Sequence, residues 1–398
     1  MKIAIISNEF PPLMSSGAVQ IRDLARELSG NGHDVTVITA TYGLKKAYSI
    51  EQTHEYTIFR TSAFRSKDVG FVRRTLSEIF TPLKMVREIK KSPIVNIKWD
   101  GVIWYSPTIF LGPVAQFLKK RSNCRGYLIV RDIFPKWAVD TGLINEGVAY
   151  KILQLFEKYQ YSVADIIGVQ TKGSLQYFLE WDKKPNNKLE VLHNWLSHSG
   201  NKPSSICIKS SKLSGRKIFI YAGNMGLAQG MEILFQLVLS LIGRKDIGFV
   251  FVGRGSQMER YSQDPAFNSA DNILFFDQIH ADEIPSLFDQ CHVGMLSLDV
   301  RHTTHNIPGK FLSYLASGLP VLASVNPGND IVELIEKNNT GRVITDGKVT
   351  SLTKMANELA DVIEVNHKGS VGVNCKRLSH DLFRPEIAAT QVEAALVD

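Results

Sequence analysis

Short apolar runs alternate with amphipathic stretches through most of the chain. Lys2–Ser7 (KIAIIS) is brief and almost wholly apolar, the pattern of a strand covered on both faces of a parallel sheet. A loop bearing prolines and a glycine follows at 8–17, and then Val19, Leu24, Ala25 and Leu28 recur at helical spacing. Gly30 and Gly32 stop that helix, and HDVTVIT from His33 reads as a second strand, so the chain opens with a βαβ unit. The rhythm continues with strands at 101–105, 126–130, 164–170 and 189–192, and the segment from Ser106 is expected to begin a helix. It restarts with strands at 217–222, 247–252, 273–276, 293–298 and 319–323, separated by helices at 231–241 and 283–291 and by one that Gly318 stops. The pattern predicts an α/β protein of two Rossmann-like domains with parallel sheets. The polar stretch 198–216, rich in Ser, Lys, Gly and Pro, is the best linker. The expected domains are 1–200 and 201–380, followed by a terminal segment 381–398.

Composition agrees with two domains. A chain of 398 residues is too long for one ordinary core. An apolar content of 44% with 21% charged residues describes a globular protein. Lys and Arg number 46 against 39 Asp and Glu, a net charge of +7, which suits a phosphate-rich ligand or an anionic surface. Cys124, Cys207, Cys291 and Cys375 lack metal-like spacing and read as reduced thiols of a cytosolic protein. The chain begins with a strand, so no signal peptide is expected, and no apolar run reaches the ~18 residues of a spanning helix.

The excess of cations concentrates in 60–91. Arg60, Arg65, Lys67, Arg73, Arg74, Lys84, Arg87, Lys90 and Lys91 face only Asp68, Glu78 and Glu88 there. Phe64, Phe71, Val72, Leu76, Ile79, Phe80, Leu83, Met85 and Val86 are interleaved with them. Such a stretch can lie on the anionic inner face of the cell membrane, each cation contributing about 1 kcal/mol. The alternative is a solvated basic face on helices packed against the sheet. Nucleic acid fits less well, because no recognisable binding motif accompanies the charge.

Glycine turns mark the candidate chemistry. A dinucleotide fingerprint, G-x-G-x-x-G after the first strand, is absent, which argues against a nicotinamide dehydrogenase. Gly17 instead marks a place where a ligand can approach backbone amides, or a simple helix start. After the strand at 217–222 come Gly223, Asn224, Gly226 and Gln229, a turn suited to phosphate. In NIPGKFLS, Pro308 and Gly309 lead into a helix whose N-terminus favours an anion by roughly 0.3–1 kcal/mol, and Lys310 adds a full positive charge. The bland reading of that segment is an ordinary capped αβ unit. Arg131 and Asp132 follow the strand at 126–130, at the sheet edge where open α/β proteins bind ligands. Arg131 can pair with phosphate and Asp132 can accept from a hydroxyl, or the two form a mutual surface ion pair. His302 and His305 lie three apart, with no carboxylate or thiol beside them to complete a metal site.

In order, FPP…SSG, GHDVTVIT, GNMGLAQG, VGRGS, DQIHADEIPSLF and PGKFLSYLASGLPV make the chain resemble a family-4 glycosyltransferase over nearly its whole length. RDIFP and AQG resemble the bacterial O-antigen and capsule branch that includes N-acetyl-L-fucosaminyl transferases. The resemblance implies a GT-B fold with two Rossmann-like domains across a cleft, the second holding the nucleotide sugar and the first the acceptor. It implies a last helix, 385–396, crossing back towards the first domain, and metal-independent transfer with retention at the anomeric carbon. No cofactor is implied beyond the UDP-sugar as co-substrate, and the acceptor would be a polyprenyl-diphosphate-linked saccharide. Gly223, Asn224 and Gly226 match the phosphate-side loop, and Gln229 stands where many relatives have a lysine. Gly253 and Arg254 match a loop near the nucleotide, and Gln278 and Ile279 a segment contacting the base. Gly309, Lys310 and Phe311 match the segment facing sugar and diphosphate. His305 and Ser313 stand at the positions of two family glutamates. Arg131 sits where many relatives have an active-site histidine, beside Asp132. The catalytic candidates are therefore Asp132, Arg131 and Lys310. Two other readings stay open: a UDP-sugar epimerase on the same fold, and a non-catalytic, membrane-associated sugar-nucleotide binder.

Overall fold

The computed structural model describes the chain except residues 14, 66–68, 141, 198–199, 201, 227–228, 302, 304–305, 364–368 and 398, and the side chains of 71 and 72. The chain forms two compact units, residues 1–195 with 385–398, and residues 196–384.

The first unit is built on an eight-stranded sheet: β1 (Lys2–Ser7), β2 (Asp34–Tyr42), β3 (Tyr48–Gln52), β4 (Thr57–Ala63), β5 (Gly101–Ser106), β6 (Arg125–Val130), β7 (Ile166–Val169) and β8 (Lys188–Val191). Its order is β3-β4-β2-β1-β5-β6-β7-β8, parallel throughout except where β3 pairs antiparallel with β4. Its helices are α1 (Ser16–Gly30), α2 (Phe71–Lys90), α3 (Gly112–Ser122), α4 (Lys136–Asp140), α5 (Val148–Val163) and α6 (Leu179–Asp182). β1 and β5 are buried on both faces, hence their continuous apolar character. β3 is an edge strand open to solvent, so its sequence reads as polar, although Tyr48 stacks on Phe59 at 5.4 Å.

Several local expectations change. Ser106 ends β5, and α3 starts only at Gly112, because Ile109 and Phe110 between them are buried against Leu153 of α5. Gly17 lies inside the first turn of α1, which Ser15 caps by accepting from the Ala18 amide at 3.2 Å. Arg60 is not part of a basic face. It sits in β4, nearly buried, with its guanidinium on Glu51 at 3.0 Å and on the Pro11 carbonyl at 2.7 Å. Lys67, Asp68 and the side chains of Phe71 and Val72 lie outside the described residues.

The second unit carries β9 (Lys217–Asn224), β10 (Ile247–Arg254), β11 (Ile273–Asp277), β12 (Val293–Ser297), β13 (Val321–Ser324) and β14 (Gly341–Ile344). All pairs are parallel, in the order β11-β10-β9-β12-β13-β14. Its helices are α7 (Glu232–Ser240), α8 (Ser256–Ser262), α9 (Pro265–Asn268), α10 (Ile284–Phe288), α11 (Gly309–Ala316), α12 (Asp330–Asn338), α13 (Val349–Val362) and α14 (Gly369–Leu382). Alternate residues along β9 serve two cores. Ile218, Ile220 and Ala222 pack with Phe311, Leu312 and Leu315 of α11, while Phe219 and Tyr221 pack with Phe235 of α7. The described part of the 198–216 stretch is not a free linker. Ile206, Ile208 and Leu213 bury themselves in the second unit's core, and the Ser205 amide donates to Glu283 at 2.7 Å.

The last helix, α15 (Pro385–Val397), belongs to the first unit. Ala389, Val392 and Ala395 are fully buried there, and the Arg125 guanidinium holds the Ala395 carbonyl at 3.0 Å. Gly101 leaves room for it: a Cβ there would sit 2.8 Å from a Leu396 methyl.

Candidate functional site

The second sheet reverses direction between β9 and β12: from β9 the chain winds out through β10 and β11, then returns to add β12, β13 and β14 on the other side. Such a switch point leaves a crevice beyond the strands' carboxyl ends, the place where open α/β sheets bind ligands. The end of β9, the end of β12 and the start of α11 meet around it.

β9 delivers Gly223 and Asn224, both exposed, and then the buried Met225 and half-buried Gly226. β10 presses closely on this loop. A Cβ on Gly253 would fall 1.9 Å from the Gly223 carbonyl oxygen, and one on Gly255 2.6 Å from that of Met225. Their φ angles are +152° and +133°. These glycines are therefore required by the protein's own backbone packing, whatever binds beside them. Arg254, between them, is exposed, and its carbonyl accepts from the Met225 amide at 2.9 Å. Gln229 folds back so that its amide oxygen accepts from the Gly226 N–H at 2.9 Å and lies 3.4 Å from Asn224 Nδ2. It occupies the amide that the sequence assigns to phosphate.

Lys310 reaches this loop from the first turn of α11. Its Nζ donates to Tyr221 Oη at 2.7 Å and lies 4.3 Å from the centre of that ring. Tyr221 Oη in turn donates to the Asn224 carbonyl at 2.8 Å. The Lys310 Cε is 3.5 Å from the point where a Gly223 Cβ would stand. The lysine is half-buried, and among the described residues no carboxylate pairs with it. Burial pushes its ammonium down to about 8. Tyr221 is held well above the usual phenol range, chiefly by its own burial, so it stays a neutral donor and acceptor. The arrangement presents one cation with donors to spare beside exposed glycine backbone. That is what a diphosphate requires.

The rest of the α11 segment divides by role. Pro308 is the N-cap and bonds no side chain to the first turn, so the amides at Gly309 and Lys310 carry no side-chain cap. Phe311 is fully buried and meets Phe383 edge-on at 6.3 Å, so it is a core residue and not a ligand contact. Ser313 is turned back along the helix, its hydroxyl donating to the Gly309 carbonyl at 3.2 Å. Gln278 is exposed just beyond β11, while Ile279 packs against the core. His302 and His305 lie outside the described residues, as do Leu227 and Ala228 of the glycine turn.

Two residues here were not singled out from the sequence. Tyr221 sits in the apolar run KIFIYA, where a tyrosine reads as core. Asp299, just beyond β12, is gripped by Arg301 in a fork, with contacts of 2.5 to 3.1 Å. Gly230 must stay small because a Cβ would lie 3.1 Å from the Asp299 backbone.

In the first unit, Arg131 turns inward instead of towards a ligand. Its Nη1 donates to the Leu192 carbonyl at 2.7 Å, and the guanidinium stacks on Trp195 at 4.7 Å. Burial lowers its affinity for the proton, and Tyr105 opposes the shift. Trp195 is tied to Gln20, which also accepts from Tyr105 Oη at 3.2 Å. Arg131 thus braces the end of β6 against the chain leaving β8. Asp132, next to it, is half-buried at the sheet edge. Gly17 is explained by Glu9, which the sequence did not single out: a Cβ would meet the Glu9 carboxylate at 2.1 Å and the Tyr105 ring at 2.9 Å. Ser15 Oγ holds that carboxylate at 2.8 Å.

Known proteins resemble this chain in sequence segments and in fold. Residues 216–362 match the family described as "Glycosyl transferases group 1", and residues 2–90 match "Starch synthase catalytic domain". A relative in Pseudomonas aeruginosa, named glycosyltransferase WbjE, is 22% identical over 240 residues, covering 59% of this chain and 60% of its own length. WcaI of Escherichia coli K12, named as a colanic acid biosynthesis glycosyl transferase, is 23% identical over 362 residues, 84% of this chain and 86% of its own. Among solved structures, sucrose-phosphate synthase from Thermosynechococcus elongatus matches with a TM-score of 0.73 at 16% identity, over 99% of this chain and 98% of its own. HepE from Anabaena, solved with UDP and glucose, matches with a TM-score of 0.68 at 14% identity, over 100% of both chains. The chain has the GT-B fold of two Rossmann-like units, and residues 216–362 of its second unit match the model of the group 1 glycosyl transferases.

Proposed function

We propose that the protein is a glycosyltransferase that moves a sugar from a UDP-linked donor to a polyprenyl-diphosphate-linked saccharide during assembly of a cell-surface polysaccharide. The observation that carries this reading is the Lys310 ammonium, held by Tyr221 beside Gly223 at the switch point of the second sheet. The names of WbjE and WcaI support the polysaccharide setting, and the UDP and glucose in HepE support the donor class.

The step needs charge stabilisation more than a covalent intermediate. The bond from the anomeric carbon to the diphosphate oxygen breaks, an acceptor hydroxyl oxygen bonds to that carbon, and its proton passes to the departing diphosphate. Negative charge grows on the diphosphate, and Lys310 with the first-turn amides of α11 is preorganised to meet it. In this reading those groups do the work a metal ion does in other phosphate sites. Gln229 must swing aside to release the Gly226 amide. Asp132, at the carboxyl edge of the first sheet, accepts from an acceptor hydroxyl, while Arg131 positions the segment that carries it. The exposed cations of α2 (Arg73, Arg74, Arg87 and Lys90) bring the protein to the anionic inner face of the membrane. Among the described residues no helix is long and apolar enough to cross a membrane.

The test is a donor screen with a synthetic N-acetylglucosamine-diphosphate-lipid acceptor, read by mass, with UDP-N-acetyl-L-fucosamine as the first donor. A product heavier by one sugar, with UDP released, is expected. An epimerised donor without product, or UDP binding without turnover on any donor, would replace this reading with one of the other two.

A further inference from the structure

An amphipathic helix on a folded unit normally turns its large apolar side chains inward. α2 does this with Met85 and Ile89, which are fully buried. It also leaves Leu76, Phe80 and Leu83 outward at 47, 50 and 52% exposure, a stripe spaced at four and three residues. Leu83 opens into a groove between α2 and α3 of about 390 Å³, floored by Val86, Phe117 and Tyr159. That volume lies within the range of small-molecule sites.

Cations stand at one end of the groove. Lys120 and Arg121, in the last turn of α3, line it, and both are exposed. Arg121 and Lys90 lie over the Phe117 ring at 5.9 and 5.4 Å, so positive charge is held against the apolar floor. No carboxylate is among the described residues lining the groove. An apolar slot with a cationic end matches an amphiphile with an anionic head. A second copy of this face would bring the same charges together and be repelled. The stripe from Leu76 to Leu83 extends the apolar surface along the helix beyond the groove, which a lipid leaflet can cover continuously.

We propose that the α2–α3 groove receives a hydrocarbon chain of an anionic phospholipid, with the lipid phosphate on Lys120 and Arg121. This names the site and the lipid chemistry for the membrane-facing role given to α2 above, and rests on that reading.

The test is flotation of the full chain with vesicles of phosphatidylglycerol and phosphatidylcholine, and with phosphatidylcholine alone. A phosphatidylglycerol bearing a diazirine on its acyl chain then maps the contact by mass spectrometry. Binding only to the anionic vesicles is expected, with adducts on the peptides that hold Leu83, Phe117 and Tyr159. Leu83→Glu should weaken binding about tenfold or more, because it sets an anion in the slot. Lys120→Glu should weaken it about fivefold or more. Val373→Glu, at an exposed valine of α14 in the other unit, should bind as the parent does. Circular dichroism confirms that each variant is folded. Equal binding to neutral vesicles, no binding to either, adducts confined to other surfaces, or parent-like binding by folded Leu83→Glu would each overturn the proposal. The vesicles contain no sugar donor or acceptor, so this readout is separate from transfer: binding that persists in a chain found unable to transfer sugar counts against the reaction, not the groove.

Discussion

Lys310 and Tyr221 meet 2.7 Å apart, the lysine from the first turn of α11 and the tyrosine from the middle of β9. They are 89 positions apart in the chain and close at the point where the second sheet changes direction. The pair holds a cation where the proposed donor develops negative charge. Lys310→Ala should therefore cut turnover by about 100- to 1,000-fold, the usual cost of removing one preorganised donor to a developing anion. Circular dichroism should show an unchanged fold, and a variant with parent-like turnover would remove the phosphate role.

The same lysine sets a pH dependence. Its ammonium form is favoured only below about 8 in the free protein, so affinity for UDP should fall as pH rises through that value. Lys310→Arg, always charged, should lose that alkaline limb in calorimetric titrations. The stability effect has the opposite sign. The unfolded lysine keeps its proton to about 10.4 while the folded one releases it earlier, so between these values the unfolded state binds more protons and stability rises with pH. Lys310→Met should accordingly raise Tm at neutral pH and flatten its dependence on pH across that window.

Gly253 and Gly341 make a matched pair of tests. Each has positive φ, and each would place a Cβ 1.9 Å from a carbonyl oxygen of the neighbouring strand, Gly223 in one case and Val321 in the other. Alanine at either position should cost at least about 1–3 kcal/mol in urea unfolding. Only Gly253→Ala moves the β9 loop, so it should also lose UDP affinity at temperatures where it remains folded. Equal UDP affinity in the two variants would show that the loop does not contact the nucleotide.

Most of the parallel strands were legible because strands covered on both faces must be apolar throughout, as KIAIIS and KIFIYA are, but β4 (TIFRTSA) and β14 (GRVI) break their short apolar runs with polar residues and were missed. β3 was missed as well, since an exposed edge strand carries no such run. The polar stretch before β9 misled for the opposite reason: three buried apolar residues, Ile206, Ile208 and Leu213, outweigh its composition. At the site, Lys310 stood out as a charge at a helix start. Tyr221 did not, because its role depends on a residue from a distant segment. Arg131 looked like a phosphate ligand from its place after a strand, but the carbonyls that claim it come from the end of β8. Gly17 and Gly253 were read as room for ligand, whereas both first make room for the protein itself.

Arg131 therefore gives a prediction of a different kind. Arg131→Ala should destabilise the protein by on the order of 2–4 kcal/mol, leaving two carbonyls and the Trp195 face without their partner. Arg131→Lys should recover little, since an ammonium cannot reach both carbonyls and stack on the indole together. Denaturant unfolding of the two variants measures this, and an unchanged midpoint with lost activity would return Arg131 to the substrate.

A crystal structure of the protein with UDP tests the central claim most directly. The account predicts the diphosphate at the carboxyl end of β9, with Lys310 Nζ moved from Tyr221 onto a phosphate oxygen and the Gly226 amide released by Gln229. A nucleotide bound elsewhere, with Lys310 still on Tyr221 and Gln229 still on Gly226, would contradict it.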